Sequence, residues 1–327
     1  MDNNLTQARP FFVLAPMDDV TDMVFRQMVI STHAPDLFFT EFVNVDGLQS
    51  VGRPKLLKKL RFAKDETKLI AQLWGLNPDN FYKTAQQIAD GTFARELGLP
   101  DGVNFAGIDL NMGCPAKSEV KNGACSALIL NRPLASEIIK ATQKGACDMP
   151  VSVKTRLGFY DIDQSWLEFL LEHKLNMLTV HGRTRKEMSK VPAHWDEIGK
   201  SVLLRDRISP KTLIVGNGDV ESYAQGVELA NKYNLDGIMI GRGVFHDPFV
   251  FSPDSPWQSL SRHERIEMYR RHVSLFADTW RNNERPIYTL NKFCKIYING
   301  FDGAKELREK LMSAETTSEL LAIMAQS

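Results

Sequence analysis

The hydrophobic pattern of this 327-residue chain is a series of short apolar runs, each ending in polar residues. They are FFVLAP (11–16), LFFTEF (37–42), KLIAQLWG (68–75), GIDLNMGC (107–114), VSVKTRLG (151–158), MLTVHGRT (177–184), TLIVGNGD (212–219) and GIMIGRG (237–243). Runs of this length and composition predict strands. Helical spacing fills most of the gaps. VTDMVFRQMV reads as a helix N-capped by Thr21, and a second helix starts at Asn77-Pro78, with proline in the favoured first position. LASEIIKATQK and SYAQGVELANKYN supply two more.

Strands that are apolar on both faces, alternating with helices, predict a parallel sheet covered by helices. Eight such units in about 250 residues fit an α/β (β/α)8 TIM barrel. A doubly wound open sheet is the rival, but the first turn, APMDDV, has no G-x-G-x-x-G. After the eighth run the pattern changes. PFVFSPDSPW (248–257) carries three prolines and reads as a linker. Ser261 and Glu264 then form an S-x-x-E capping box ahead of Ile266, Tyr269, Val273, Phe276 and Trp280 at helical spacing. The expected organisation is a barrel over 1–250 and a small all-α C-terminal domain over 258–327, with a helix break near NGFDG (299–303).

Composition narrows the function classes. Forty basic and forty acidic side chains cancel, so no global field points to a polyanion or a membrane. The start, MDNNLTQARPFF, has an acidic second residue and no apolar core, unlike a signal peptide, and no run is long enough to span a bilayer. The cysteines at 114, 125, 147 and 294 show neither C-x-x-C nor zinc spacing, so free thiols in a reducing cytoplasm are expected.

In a (β/α)8 barrel, chemistry sits at the C-terminal strand ends. Those ends carry Pro16 and Met17, Glu41, Gln72, Asn111 and Cys114, Lys154 and Arg156, His181 and Arg183, Asn217 and Asp219, and Gly241 and Arg242. GNGD (216–219) and GRG (241–243), at the seventh and eighth exits, match the position where such barrels hold a phosphate. Lys154 suits either a Schiff base or a fixed positive charge beside an electron-accepting ring. His181 suits a hydrogen bond to a cofactor edge or proton transfer. Cys114, in a Gly-Cys-Pro turn where a packing cysteine would be out of place, suits a proton donor or a nucleophile. Cys147 and Cys294 read as fillers, with Cys125 intermediate.

LAPMDDVTDMVFR (14–26), TEFV (40–43), QLWG (72–75), DLNMGCPAK (109–117), VSVKTRLG, TVHGRTR (179–185), GNGD and MIGRG (239–243) resemble, in order, the signature segments of the flavin-dependent tRNA-dihydrouridine synthases of bacterial type. KFCKIYINGFDGAKELREKLM (292–312) resembles that family's tail. The resemblance implies an FMN-containing barrel followed by a helical tRNA-binding domain. The implied reaction reduces the C5–C6 double bond of particular tRNA uridines, with NADPH reloading the flavin. Carried across by motif, Pro16 and Met17 lie against the flavin ring, and Gln72, Lys154 and His181 contact its polar atoms. Asn217, Gly218, Asp219, Gly241 and Arg242 hold the phosphate. Cys114 protonates C5, and Asn111 and Arg183 orient the base. A monomer in the cytoplasm is expected.

Between Arg262 and Lys295, eight basic residues face four acidic ones, a local excess that a phosphate-tracking surface would use. Arg271, Lys292 and Lys295 are its candidate contacts. Two features depart from the family pattern: Cys125, where relatives commonly carry a small residue such as glycine, and RKEMSKVPAHW after HGRT, which lacks a Gly-Tyr pair. The loop over 91–106 has no functional reading. The alternatives are an FMN barrel acting on a small pyrimidine or enone, a Schiff-base aldolase using Lys154, and a tRNA-binding module without turnover.

Overall fold

A computed structural model describes residues 5, 6, 9–281 and 284–327 of the chain. Part of the N-terminal stretch compared with a signal peptide lies outside them. All eight apolar runs form strands: β1 (Phe11–Leu14), β2 (Phe38–Phe39), β3 (Val43–Asn44), β4 (Leu69–Trp74), β5 (Gly107–Met112), β6 (Val151–Gly158), β7 (Met177–Thr184), β8 (Leu213–Asn217) and β9 (Gly237–Ile240). The second run supplies β2, and β3 follows just beyond it; both pair with β4, on either side of a break at 40–42. Thr40 explains the break. Its hydroxyl accepts from the Gln72 N–H at 3.0 Å and donates to the Glu41 carbonyl at 2.7 Å, so a side chain stands in for the backbone ladder.

Every pairing is parallel, in the order β1-β9-β8-β7-β6-β5-β4-β2. A bridge between Val13 and Leu37 joins β1 to the residue before β2 and closes the ring. This is the (β/α)8 barrel. Its crossover helices begin as their sequences dictate. Asn77, Asn131, Asp163 and Ser222 each accept a backbone N–H of the first helical turn, and Pro78 follows Asn77 as the first helical residue.

The rows of cross-strand neighbours show where the interior is polar. One runs Gln72, Asp109, Ser152, Met177, Leu213; the next Asn111, Lys154, Thr179, Val215; the uppermost Arg156, His181, Asn217, Met239 and Val13. Each begins polar on β4 to β7 and ends apolar. Met177, Leu213, Val215, Met239 and Val13 belong to one buried cluster with Phe11, Phe39 and Ile70. One side of the barrel is an ordinary core, and the other is built for chemistry.

Chain contacts divide the protein into two compact units. One runs to Met23 and resumes over Pro35–Gly241; the other holds Val24–Ala34 and Arg242–Ser327. The helix after β1 (Met23–His33) therefore groups mostly with the C-terminal helices rather than with the barrel whose first crossover it forms. Phe25 is the physical reason: its ring stacks on Phe293 at 5.1 Å and lies 6.3 Å from both Phe245 and His272. That helix starts at Met23, and the hydroxyl of Thr21 bonds instead to both backbone groups of Met17, at 3.0 and 3.1 Å. In the C-terminal unit the capping box of Ser261 and Glu264 opens the helix Arg262–Thr279, and the break at 299–303 separates Asn291–Tyr297 from Ala304–Met312. The 91–106 segment is structural: it carries a short helix with Phe93 buried under the Arg53 guanidinium, 4.4 Å from the ring centroid.

Candidate active site at the barrel mouth

The loop after β5 is bent by its own strand. The side-chain oxygen of Asn111 accepts the backbone N–H groups of Gly113 (3.2 Å) and Cys114 (2.9 Å), turning the chain out of the sheet. A side chain at Gly113 would press on that turn, its Cβ 3.2 Å from the Thr155 backbone. Arg156 braces the turn from β6, donating Nε to the Gly113 carbonyl at 2.8 Å and another nitrogen to the carbonyls of Thr184 and Met188. The Cys114 carbonyl accepts the Ser126 N–H at 3.3 Å, which draws the following segment back over the turn.

That segment brings in Cys125. It is fully buried, at φ +54°, a backbone region that disfavours side chains. Its thiol donates to the Cys114 sulfur. This donation, with the Ala116 backbone N–H and the Arg156 charge, outweighs burial and draws the Cys114 thiol down to about 7. The same contact pushes the Cys125 thiol far up, so at neutral pH Cys125 stays protonated.

Lys154 is half-buried. Among the described residues its ammonium makes no hydrogen bond or ion pair, and Thr179 Oγ1, its register neighbour, is buried without a partner. Burial and the nearby Arg156 lower Lys154 to about 8; Asp109 and Cys114 hold it from falling further. Gln72, Asn111 and Asp109 are joined by side-chain hydrogen bonds.

His181 and Arg183 project from β7, and Asp219 follows β8. Arg183 donates to His181 Nε2 at 3.1 Å, to the Val191 carbonyl at 2.6 Å, and to the Asp219 carboxylate. A guanidinium only donates, so Nε2 carries the lone pair and the His181 proton sits on Nδ1. Asp219 also accepts the Ala193 N–H at 3.1 Å. Its carboxylate is thus bonded within the protein. Gly218, at φ +139°, makes that turn possible; a Cβ would lie 2.7 Å from that of Ala193. Asn217 donates to the Met239 carbonyl at 2.8 Å, tying the seventh exit to the eighth. At Gly241 a side chain would meet only Ala15 and the Met17 sulfur, at 3.6 and 3.9 Å, so the glycine leaves a space beside Met17. Arg242 follows it in the chain, N-caps the short helix Gly243–His246, and falls in the other compact unit.

The barrel unit thus gathers Gln72, Asn111, Cys114 and Lys154 on one side of its mouth and His181, Arg183, Asn217 and Asp219 on the next. Sequence reasoning missed Asp109 and Ser152, and left Arg156 and Cys125 without roles. Asp109 was findable: it is the one charged residue in GIDLNM, and strand alternation puts it on the face of Asn111. A cavity of about 880 Å³ opens at the opposite strand ends, lined by Lys68, Met149, Val151, Lys174 and Ser209, and it contains none of the candidate residues.

The basic face of the helical unit is smaller than its sequence suggests. Arg265 is buried, bonded to the carbonyls of Trp257 and Asn299 and stacked on the Trp257 ring; Arg285 is buried against Trp280. Arg271 and Lys295 are exposed, and Lys292 is half-buried, 5.8 Å from the Phe293 ring.

A closed parallel barrel with a thiol, an ammonium and a braced imidazole at its C-terminal strand ends has the build of a barrel enzyme. The chain belongs to the dihydrouridine synthase family, whose model matches residues 13–327, and is an oxidoreductase of that family. It is 44% identical over 319 residues to a protein of Staphylococcus aureus (strain COL) named probable tRNA-dihydrouridine synthase, covering 97% of this chain and 92% of that one. A Staphylococcus epidermidis (strain ATCC 35984) protein of the same name is 45% identical over 317 residues, covering 96% and 92%. Probable tRNA-dihydrouridine synthase 2 of Bacillus subtilis (strain 168) is 43% identical over 319 residues, covering 97% and 93%.

Proposed function

We propose that this protein reduces the C5–C6 double bond of uridines in tRNA, using flavin mononucleotide held in the barrel mouth and NADPH as reductant, as a monomer in the cytoplasm. The observation that carries the reading is the Cys114 thiol: braced at a strand exit by Asn111 and Arg156, drawn to about 7, with the Lys154 ammonium among its neighbouring charges. No helix among the described residues is long and apolar enough to cross a membrane.

The residues present fit a flavin. Lys154 and Thr179 offer adjacent polar groups with no partner among the described residues, and Gly241 leaves open space beside Met17. Pro16, Met17, Gln72, Lys154 and His181 would hold the ring; Asn217, Gly218, Asp219 and Gly241 would hold the phosphate. When bound, the flavin supplies the hydride for uracil C6. Lys154 keeps a positive charge beside an electron-rich ring, and His181 presents an Nδ1 proton as a donor. Cys114 Sγ gives its proton to C5. A pKa near neutrality suits this, since the thiol is substantially protonated at working pH and readily released as thiolate. Asn111 and Arg183 orient a base flipped out of its stack, and Arg271, Lys292 and Lys295 contact phosphates.

Mapping dihydrouridine in tRNA from cells with and without the gene tests the reading. Loss of dihydrouridine at defined positions is expected, and an unchanged map would overturn it. Deleting residues 258–327 is a poor test of the tRNA surface, because it would strip Phe25 of its stacking partner Phe293. Substitutions at Arg271 and Lys295 leave the packing intact.

A further inference from the structure

Asp109 is fully buried midway along β5, two residues before Asn111 and on the same face. One of its carboxylate oxygens accepts from Gln72 Nε2 at 2.8 Å, and the other accepts from the Ser152 hydroxyl at 2.6 Å. Gln72 therefore turns its oxygen away from Asp109, and that oxygen accepts from Asn111 Nδ2 at 3.2 Å. Asn111 in turn presents its own oxygen to the N–H groups of Gly113 and Cys114. Every link runs in the same sense, from donors in the Cys114 turn to an acceptor deep in the barrel.

We propose that Asp109 is a positioning residue that anchors a one-way hydrogen-bond chain through Gln72 and Asn111 and so holds the turn presenting Cys114. This rests on the reading of Cys114 as the proton donor. The chemistry of the groups makes the chain directional. A carboxylate only accepts, and backbone N–H groups only donate. The two amides between them are nearly symmetric in shape, but each has one donating and one accepting end. With an acceptor at one terminus and donors at the other, a single arrangement satisfies all of them. Because the chain is buried, any reversed link leaves a polar group without a partner, which the fold strongly disfavours.

The directionality defines a test by inversion. Asn111→Asp alone keeps an acceptor for the Cys114 turn but faces the Gln72 oxygen with a second acceptor. Turning Gln72 over only moves the conflict to Asp109. Adding Asp109→Asn removes it: the new amide donates to the Gln72 oxygen, Gln72 Nε2 donates to the carboxylate at 111, and the Ser152 hydroxyl still finds an oxygen at 109. The readout is iodoacetamide alkylation of Cys114, followed by peptide mass on the protein as isolated. The plateau rate at high pH is used, so that a change in the thiol's own proton affinity drops out.

Asn111→Asp is expected to change the plateau rate by about five-fold or more, and the double variant to return it to within about two-fold of the parent. If the single variant is too unstable to alkylate cleanly, the melting temperature is read instead, with recovery in the double variant expected. A double variant no closer to the parent than the single, or a single variant within two-fold of the parent, would overturn the proposal. The alkylation needs no tRNA. A protein that shows the rescue but forms no dihydrouridine would refute the substrate reading and leave the chain standing.

Discussion

The barrel mouth and the helical unit both bury ionisable groups, with opposite results. In the mouth, burial raises Asp109 to about 6 against hydrogen bonds from Ser152 and Gln72 and the Lys154 charge. Burial lowers Lys154 to about 8 against the pull of Asp109, and Cys114 is drawn to about 7 by Cys125 and Arg156. In the helical unit, His272 lies among Phe25, Phe293 and Tyr297, and burial alone takes it down to about 3. Burial takes Cys294 up to about 11 and pushes the Tyr269 and Tyr297 hydroxyls further from neutrality. Where burial dominates, a group is locked in its neutral form; where charges and donors offset it, the group can exchange a proton near pH 7. The first serves packing and the second serves chemistry.

Removing one thiol from each region should produce the largest difference between them. Cys114→Ala is expected to reduce dihydrouridine formation by about 10²–10⁴-fold, the range of a lost general acid, while tRNA binding persists. Cys294→Ala should lower the melting temperature and leave turnover close to the parent. Single-turnover assays beside thermal melts check both, and a Cys114→Ala enzyme with near-parental turnover would refute the assignment.

Next in size is the dependence of stability on pH, where the two regions have opposite signs. Folded His272 titrates near 3, and its unfolded value is 6.5. Between these values the unfolded chain takes up a proton that the fold refuses. Stability is therefore full above 6.5 and declines as pH falls toward 3, by about 4–5 kcal/mol in all. Asp109, raised from 3.8 to about 6, does the reverse: the folded state binds the extra proton, and acidification through that window adds about 3 kcal/mol. Urea unfolding from pH 7 to 4 should show a shallower acid loss for His272→Phe than for the parent, and a steeper one for Asp109→Asn.

A smaller effect sharpens the role of the second cysteine. Cys125→Ala removes the donor that stabilises the Cys114 thiolate, so the midpoint of iodoacetamide reactivity should move up from about 7, by about one pH unit or more. Cys125→Ser keeps a donor and should move it less. The smallest changes belong to the helical surface. Arg271→Ala and Lys295→Ala are each expected to raise the KM for tRNA by about two- to three-fold and to lower the salt slope by about one charge or less. Turnover at saturating tRNA should not change.

All eight strands were legible in the sequence, as were the helix starts at Asn77-Pro78 and Ser261, because apolar runs, capping side chains and prolines act within a few residues. The cap expected of Thr21 did not form, and the helix Gln164–Glu172 went unread. Cys114, Lys154 and His181 were also legible, since a polar residue at the end of an apolar strand must face something polar. The split of the second strand was not, because it depends on the Thr40 hydroxyl reaching the Gln72 backbone across the sheet. Arg265 and Arg285 counted as surface charge in the sequence but are buried against tryptophans, a contact no local pattern announces. That Arg183, 36 residues away, bonds the Asp219 carboxylate was not legible either.

Local sequence is enough to specify a parallel barrel followed by helices and where along the chain the reactive groups lie. Those properties follow from periodicity and strand-end chemistry. The protonation of those groups is set by folding. Proton affinity depends on what stands a few ångströms away, and the partners come from different staves: Asp109 with Ser152, Cys114 with Cys125 and Arg156, His181 with Arg183. Folding also decided that the helix after β1 packs with the C-terminal unit, because Phe25 finds its aromatic partners at the far end of the chain.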